Sequence, residues 1–74
     1  MRSLNPGIAF EVIDGVHKGK KAIARHAKQR KEFQQIKRLY VEFYEPDWKP
    51  VLLDGKKVVG LVQSAFLKQI GMVD

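Results

Sequence analysis

The stretch from Phe10 to Ala24, F-E-V-I-D-G-V-H-K-G-K-K-A-I-A, constrains the fold more than any other part of the chain. Apolar Phe10 and Val12 flank Glu11, glycines stand at Gly15 and Gly19, and then Ala22, Ala24 and His26 alternate with Lys21, Ile23 and Arg25. A period of two on both sides of a glycine-containing turn predicts strand, tight turn, strand. Glycine reaches positive φ without a Cβ clash, and Lys18, Lys20 and Lys21 put positive charge on the tip. Alanines on the inner face of the second strand imply that another strand or a bulky side chain crosses closely over them.

A chain of 74 residues has apolar residues enough for one core, so a single domain over 1–74 is expected, with loose ends at 1–6 and 71–74. Cysteine is absent, and hydrophobic packing must hold the fold without disulfides. His17 and His26 are accompanied by neither cysteine nor a carboxylate cluster, so no metal and no cofactor is expected. No run approaches the roughly 20 apolar residues of a membrane span, and the leading M-R-S-L-N-P-G lacks the apolar centre of a secretory signal. These features predict a soluble cytoplasmic protein that does not engage membranes.

Charge is concentrated. Between His17 and Arg38 lie nine cations (Lys18, Lys20, Lys21, Arg25, Lys28, Arg30, Lys31, Lys37 and Arg38) against Glu32 alone, a net of +8. The remainder of the chain therefore carries −2, since the formal total is +6. Such segregation makes a local positive field that attracts polyanions, whereas a diffuse excess mainly aids solubility.

Along the chain, Pro6-Gly7 signals a turn, Ile8–Ile13 a first strand and Lys21–His26 a second. For Ala27–Ile36 a short helix and a basic excursion between strands both fit: the composition favours helix and Phe33 and Ile36 share a face, but an N-cap is missing. In Lys37–Tyr44, Leu39, Val41 and Phe43 alternate with Tyr40, Glu42 and Tyr44, which predicts a strand with both tyrosines outward. Glu45-Pro46-Asp47 breaks it before Trp48. Val51–Leu53 and Lys56–Val62 form a hairpin around Asp54-Gly55, Gln63–Lys68 a 3₁₀ turn, and Leu67 and Ile70 belong to a last short strand. The pattern is that of an all-β fold, a small curved five-stranded barrel with a 3₁₀ turn before its last strand. Its predicted interior holds Phe10, Val12, Ala24, Leu39, Val41, Phe43, Val58, Val62 and Leu67.

The run V-I-D-G-V-H-K-G-K-K-A-I-A resembles the KOW motif of ribosomal proteins and NusG-type elongation factors, roughly V-x-I-x-x-G-x-x-K-G-x-x-G-x-V. Gly15, Lys18 and Gly19 match at the motif's spacing, while Ala22 replaces its third glycine and Ala24 its valine. Further along, Arg38–Ile70 is similar to the later half of an SH3 domain. There, R-L-Y-V-E-F-Y is followed by an acidic loop, Trp48, a hairpin, and a closing G-L-V-Q-S-A-F-L-K-Q-I in which Gly60, Ser64 and Ile70 match in identity. KOW domains are themselves SH3-like barrels, so both resemblances imply one architecture.

What they imply about function differs. The KOW resemblance implies nucleic-acid binding, RNA ahead of DNA, in a ribosome- or transcription-associated setting. Phosphate contacts are then expected from Lys18, Lys20, Lys21, Arg25, Lys28, Arg30 and Lys31, with backbone N–H groups at Gly15 and Gly19 open to close approach and Tyr40 available for stacking. The SH3 resemblance implies, as an alternative, a protein-interaction module docking on a larger complex such as a polymerase or ribosome component. Its patch would comprise Tyr44, Trp48, Gln63 and Phe66. Gln63 stands at the proline position of the peptide groove and Phe66 at its closing tyrosine. No catalytic residues are expected: Ser/His/Asp and Cys/His groupings are missing, and Glu42, Glu45, Asp47 and Asp54 lack a partner base.

Overall fold

The computed structural model describes residues 6–73, so of the loose ends expected at 1–6 and 71–74 residues 1–5 and 74 lie outside the described residues. Strand β1 (Gly7–Val12) turns into β2 (Lys21–Ala24), a short helix α1 (Ala27–Glu32) follows, and β3 (Arg38–Tyr44) returns across the sheet. Then come a small hairpin of β4 (Leu52–Leu53) and β5 (Lys56–Lys57), strand β6 (Val59–Gln63), a 3₁₀ turn at Ser64–Phe66, and β7 (Leu67–Val73). The main sheet is antiparallel and five-stranded in the order β6-β3-β2-β1-β7, and β4-β5 is a separate two-stranded ladder.

The two edges of this sheet, β6 and β7, are joined by only the three-residue 3₁₀ turn. Laid flat, four strand spacings would separate them by about 19 Å, whereas the four Cα steps from Gln63 to Leu67 reach at most about 14 Å. The sheet is therefore strongly curled. Its hydrogen-bonded ladder nonetheless stays open, with no pairing between β6 and β7 among the described residues.

The concave side encloses the core: Ile8, Phe10, Val12, Ala22, Ala24, Leu39, Val41, Phe43 and Val62, with Phe33, Ile36, Val51, Val58, Phe66 and Leu67 partly buried against it. Each large apolar side chain so buried contributes about 1.5–3 kcal/mol, which is what a small chain without disulfides must rely on. Close approach is the governing geometry. Ala22 and Ala24 are 0 % exposed, and a Cβ added at Gly7 would lie 2.5 Å from Ile23 Cγ2 and 3.0 Å from the Ala24 carbonyl oxygen. Gly7 thus belongs to β1, where Pro6-Gly7 had suggested a turn.

Other expectations need correction. Residues 71–73 are no loose end, because Gly71 pairs with Ala9, Met72 with Ile8 and Val73 with Gly7. The expected Lys56–Val62 strand is split at Val58. There the Val58 amide donates to Val51 O (2.9 Å) and Val58 O accepts from the Phe43 amide (3.0 Å), so the chain passes from the hairpin to the main sheet. Of the two open readings for Ala27–Ile36, the helix forms. Phe33 fixes it by packing edge-on against Phe10, with ring centroids 5.7 Å apart.

Gly7→Ala is predicted to lower stability by about 1–3 kcal/mol in urea unfolding, as overpacking does. At Gly71, where no atom lies within 4 Å of an added Cβ, the same change should be neutral or stabilising by up to about 1 kcal/mol.

Candidate nucleic-acid interface

The turn between β1 and β2 is closed by its own backbone. The Gly19 amide donates to Val12 O (3.0 Å), Lys18 to Gly15 O (3.2 Å) and Lys20 to His17 O (3.0 Å), while the Gly15 amide donates to Asp14 Oδ1 (2.8 Å). Neither glycine amide is open to a phosphate, contrary to the expectation from the motif. Gly15 is demanded twice over, by φ of 86° and by the Phe66 ring 2.9 Å from where its Cβ would stand. His17 stacks on Phe43 at 4.1 Å, which pins the turn to the core edge. What the turn offers a polyanion is its side-chain charge, with Lys18 exposed at the tip.

Lys20 and Lys21 face the loop that follows β3. Lys20 Nζ lies 2.7 Å from Glu45 Oε1, an oxygen closed off from solvent that meets no aligned hydrogen-bond donor. The contact is an ion pair in charge rather than an oriented hydrogen bond, and both side chains are exposed enough that it contributes at most about 1 kcal/mol. Lys21 Nζ sits 4.9 Å above the centroid of the Trp48 ring.

Arg25 is committed to the fold. Its Nε donates to Glu42 Oε1 (3.1 Å), and the same oxygen accepts the Tyr44 hydroxyl (2.6 Å). Partial burial by itself would raise the Glu42 carboxyl. Hydrogen bonds from Tyr44 and Arg25, with the charges of Arg25 and Lys57, outweigh it and hold the group below its ordinary value of 4.5. Burial likewise opposes the Arg25 charge, but its bonds to Tyr44 and Glu42 prevail and the guanidinium is held still more firmly protonated than usual.

Helix α1 presents the other cations. Gln29 Oε1 accepts the Tyr40 amide (2.6 Å) just beyond the last β2–β3 pair, Ile23 with Glu42, and so takes over where β2 leaves the ladder. Arg30 Nε donates to Arg25 O (3.1 Å), tying the last turn back to the helix start. With Gln29 and Phe33 turned inward at i, i+4, Lys28 and Lys31 share the outer side at i, i+3. Both are exposed, and neither they nor Lys18 make an ion pair with a described residue.

Of the aromatic residues, Tyr40 is half-exposed as expected, directly opposite Leu61 on β6. Tyr44 corrects the alternation rule, being only 6 % exposed. The Trp48 ring lies 5.9 Å away, Lys57 Nζ 5.8 Å from its ring, and its hydroxyl is used by Glu42, so the outer face of the sheet is covered at that point. Trp48 opens no strand. It sits in the Glu45–Lys49 loop with φ of 68°, a left-handed conformation that costs a bulky L-residue about 1–2 kcal/mol.

The four residues of the docking alternative are not brought into one patch. Gln63 pairs with Arg38 at the start of β3, whereas Tyr44 ends that strand, six residues or roughly 20 Å further along. Gln63 and Phe66 instead share a cleft with Val16, His17, Arg38 and Leu61 that neither Tyr44 nor Trp48 lines. Among the described residues, no group of three His, Asp or Glu side chains is placed to hold a metal.

Compared with profiles of known protein families, with curated proteins and with solved structures, the chain matches none.

The Glu42 cluster predicts acid sensitivity. A carboxyl held low in the folded state stabilises at neutral pH, and that stability is lost as pH falls from 4.5 through the lowered folded value. The difference in urea midpoint between wild type and Glu42→Gln should be present at neutral pH and vanish below that window.

Proposed function

We propose that this protein is a KOW-type, SH3-like module that binds nucleic acid, RNA ahead of DNA, through the β1–β2 turn and the outer side of α1. The observation that carries the reading is the set of exposed lysines, Lys18 at the turn and Lys28 and Lys31 on α1, that no described carboxylate neutralises. A curled five-stranded sheet whose edges meet through a 3₁₀ turn supports the SH3-like part of the proposal. A setting on a ribosome or transcription complex follows from the KOW resemblance.

Within this reading the cations differ in role. Lys18, Lys28 and Lys31 give phosphate contacts directly, and Arg30 adds charge while holding α1 in place. Lys20 stays paired with Glu45 and acts on the turn rather than on a phosphate. Arg25 stays in its partly buried cluster and acts on the fold. Affinity then arises mainly from counterion release, and the interface reads backbone rather than sequence.

A second reading has one observation in its favour. Val16 is 97 % exposed beside the cleft that Leu61, Gln63 and Phe66 line, an apolar arrangement suited to docking on a protein partner. It makes no use of the lysines.

Salt titration separates the two. Removing Lys18, Lys28 or Lys31 should each lower the slope of log K against log [salt] by about 0.7–0.9, and removing Lys56 or Lys57 should do less. Being exposed, these substitutions should leave stability within about 0.5 kcal/mol. Wild-type binding to RNA and to DNA weaker than about 10⁻⁴ M near physiological salt would fall below ordinary non-specific binding and end the nucleic-acid reading.

A further inference from the structure

Trp48 is the chain's only tryptophan, and its position is costly in two ways. Its backbone is left-handed, at φ of 68°, in a place where glycine would fit without strain, and the residue as a whole is 38 % exposed. A tryptophan serving only as a core lid would be covered and would gain burial in return for the strain. Here the ring lies on Tyr44 at the surface, and its other close companion is the ammonium of Lys21.

The surroundings indicate which ligand suits the ring. Four lysines converge on the loop: Lys20 on Glu45, Lys49 near Asp47 at 3.8 Å, Lys21 over Trp48 and Lys57 over Tyr44. The loop's two carboxylates are thus already matched. Lys21 and Lys57, which make no ion pair with a described residue, rest on aromatic faces. Lys21 also leads directly into the β1–β2 turn, so the ring borders the proposed phosphate-binding surface. An exposed aromatic flanked by cations fits a ligand with a flat π-face and a phosphate beside it.

We infer that Trp48 is a stacking platform for a base of single-stranded nucleic acid, with Lys21 moving from the ring to the adjacent phosphate as the base arrives. The inference rests on the nucleic-acid reading and adds to it the strandedness of the ligand and the residue that senses its bases. Magnitudes favour the exchange: a cation over an exposed ring is worth about 2- to 5-fold, whereas one stacked base is worth about 5- to 150-fold in affinity. The released ammonium gains a phosphate contact as well. Duplex bases are already stacked on each other and offer no free face, so the platform does not act on duplex.

The test uses the emission of Trp48 together with the anisotropy of a labelled strand. The probes are an oligouridine of about eight nucleotides and the abasic ribose-phosphate strand of equal length. Oligouridine is expected to quench Trp48 and to bind about 5- to 150-fold more tightly than the abasic strand. Trp48→Gly should erase that difference while keeping the abasic affinity, and Trp48→Phe should retain most of it. Glycine accepts the local φ, so folding of the variant is preserved, and Trp48→Asn, also tolerant of that conformation, serves should glycine loosen the loop. Equal binding of both strands with unchanged emission would overturn the stacking role and leave the phosphate surface standing. Binding of neither strand would overturn both. Quenching by an acidic peptide but not by oligouridine would assign the ring to a protein partner and overturn the inference.

Discussion

The closeness of β1 to β2 is the constraint on which the rest of the molecule depends. Gly7 has no room for a Cβ beneath Ile23, and Ala22 and Ala24 are wholly enclosed. Large side chains from the neighbouring strands, Phe10 and Phe43 among them, fill the space the alanines leave. A core built this way accepts no charge, and no charged residue is buried as a whole among the described residues. Every cation of the basic stretch is consequently at or near the surface, distributed around β2.

Strand β2 is only four residues long, so its two ends lie roughly 10 Å apart. One end carries the lysine turn and the Trp48 loop, and the other leads into α1 with Lys28 and Lys31. Under the proposed function, a separation this short lets one short segment of nucleic acid meet both groups. The partly buried Arg25–Glu42–Tyr44 cluster lies between them and holds the strands in register. Charge at this surface is thus divided between groups that bind and groups that hold the binding groups in place.

The sequence was most legible where side chains repeat with a strict period. Phe10, Val12, Leu39, Val41 and Phe43 reach the core as alternation requires, the Asp54-Gly55 turn forms with both residues at positive φ, and the 3₁₀ turn precedes the last strand. Tyr44 escaped because its burial comes from a loop folding back, a tertiary event that period two does not encode. The left-handed backbone of Trp48 left no trace in the sequence, because no local residue preference announces that conformation for tryptophan. The anchoring of α1 by Gln29 was likewise invisible, since its acceptor meets a backbone amide eleven residues away. The Arg25–Glu42–Tyr44 cluster did leave a signal, because Glu42 and Tyr44 are two apart and share a strand face.

The most direct test of the account is a ¹⁵N–¹H NMR titration of the intact protein with single-stranded RNA, following every backbone amide and the Trp48 indole. The account predicts shifts at Lys18–Lys21, along α1 and at the Trp48 indole, with Leu61 and Gln63 unmoved. Shifts confined to the cleft of Val16, Leu61, Gln63 and Phe66, or no shifts at saturating RNA, would contradict it.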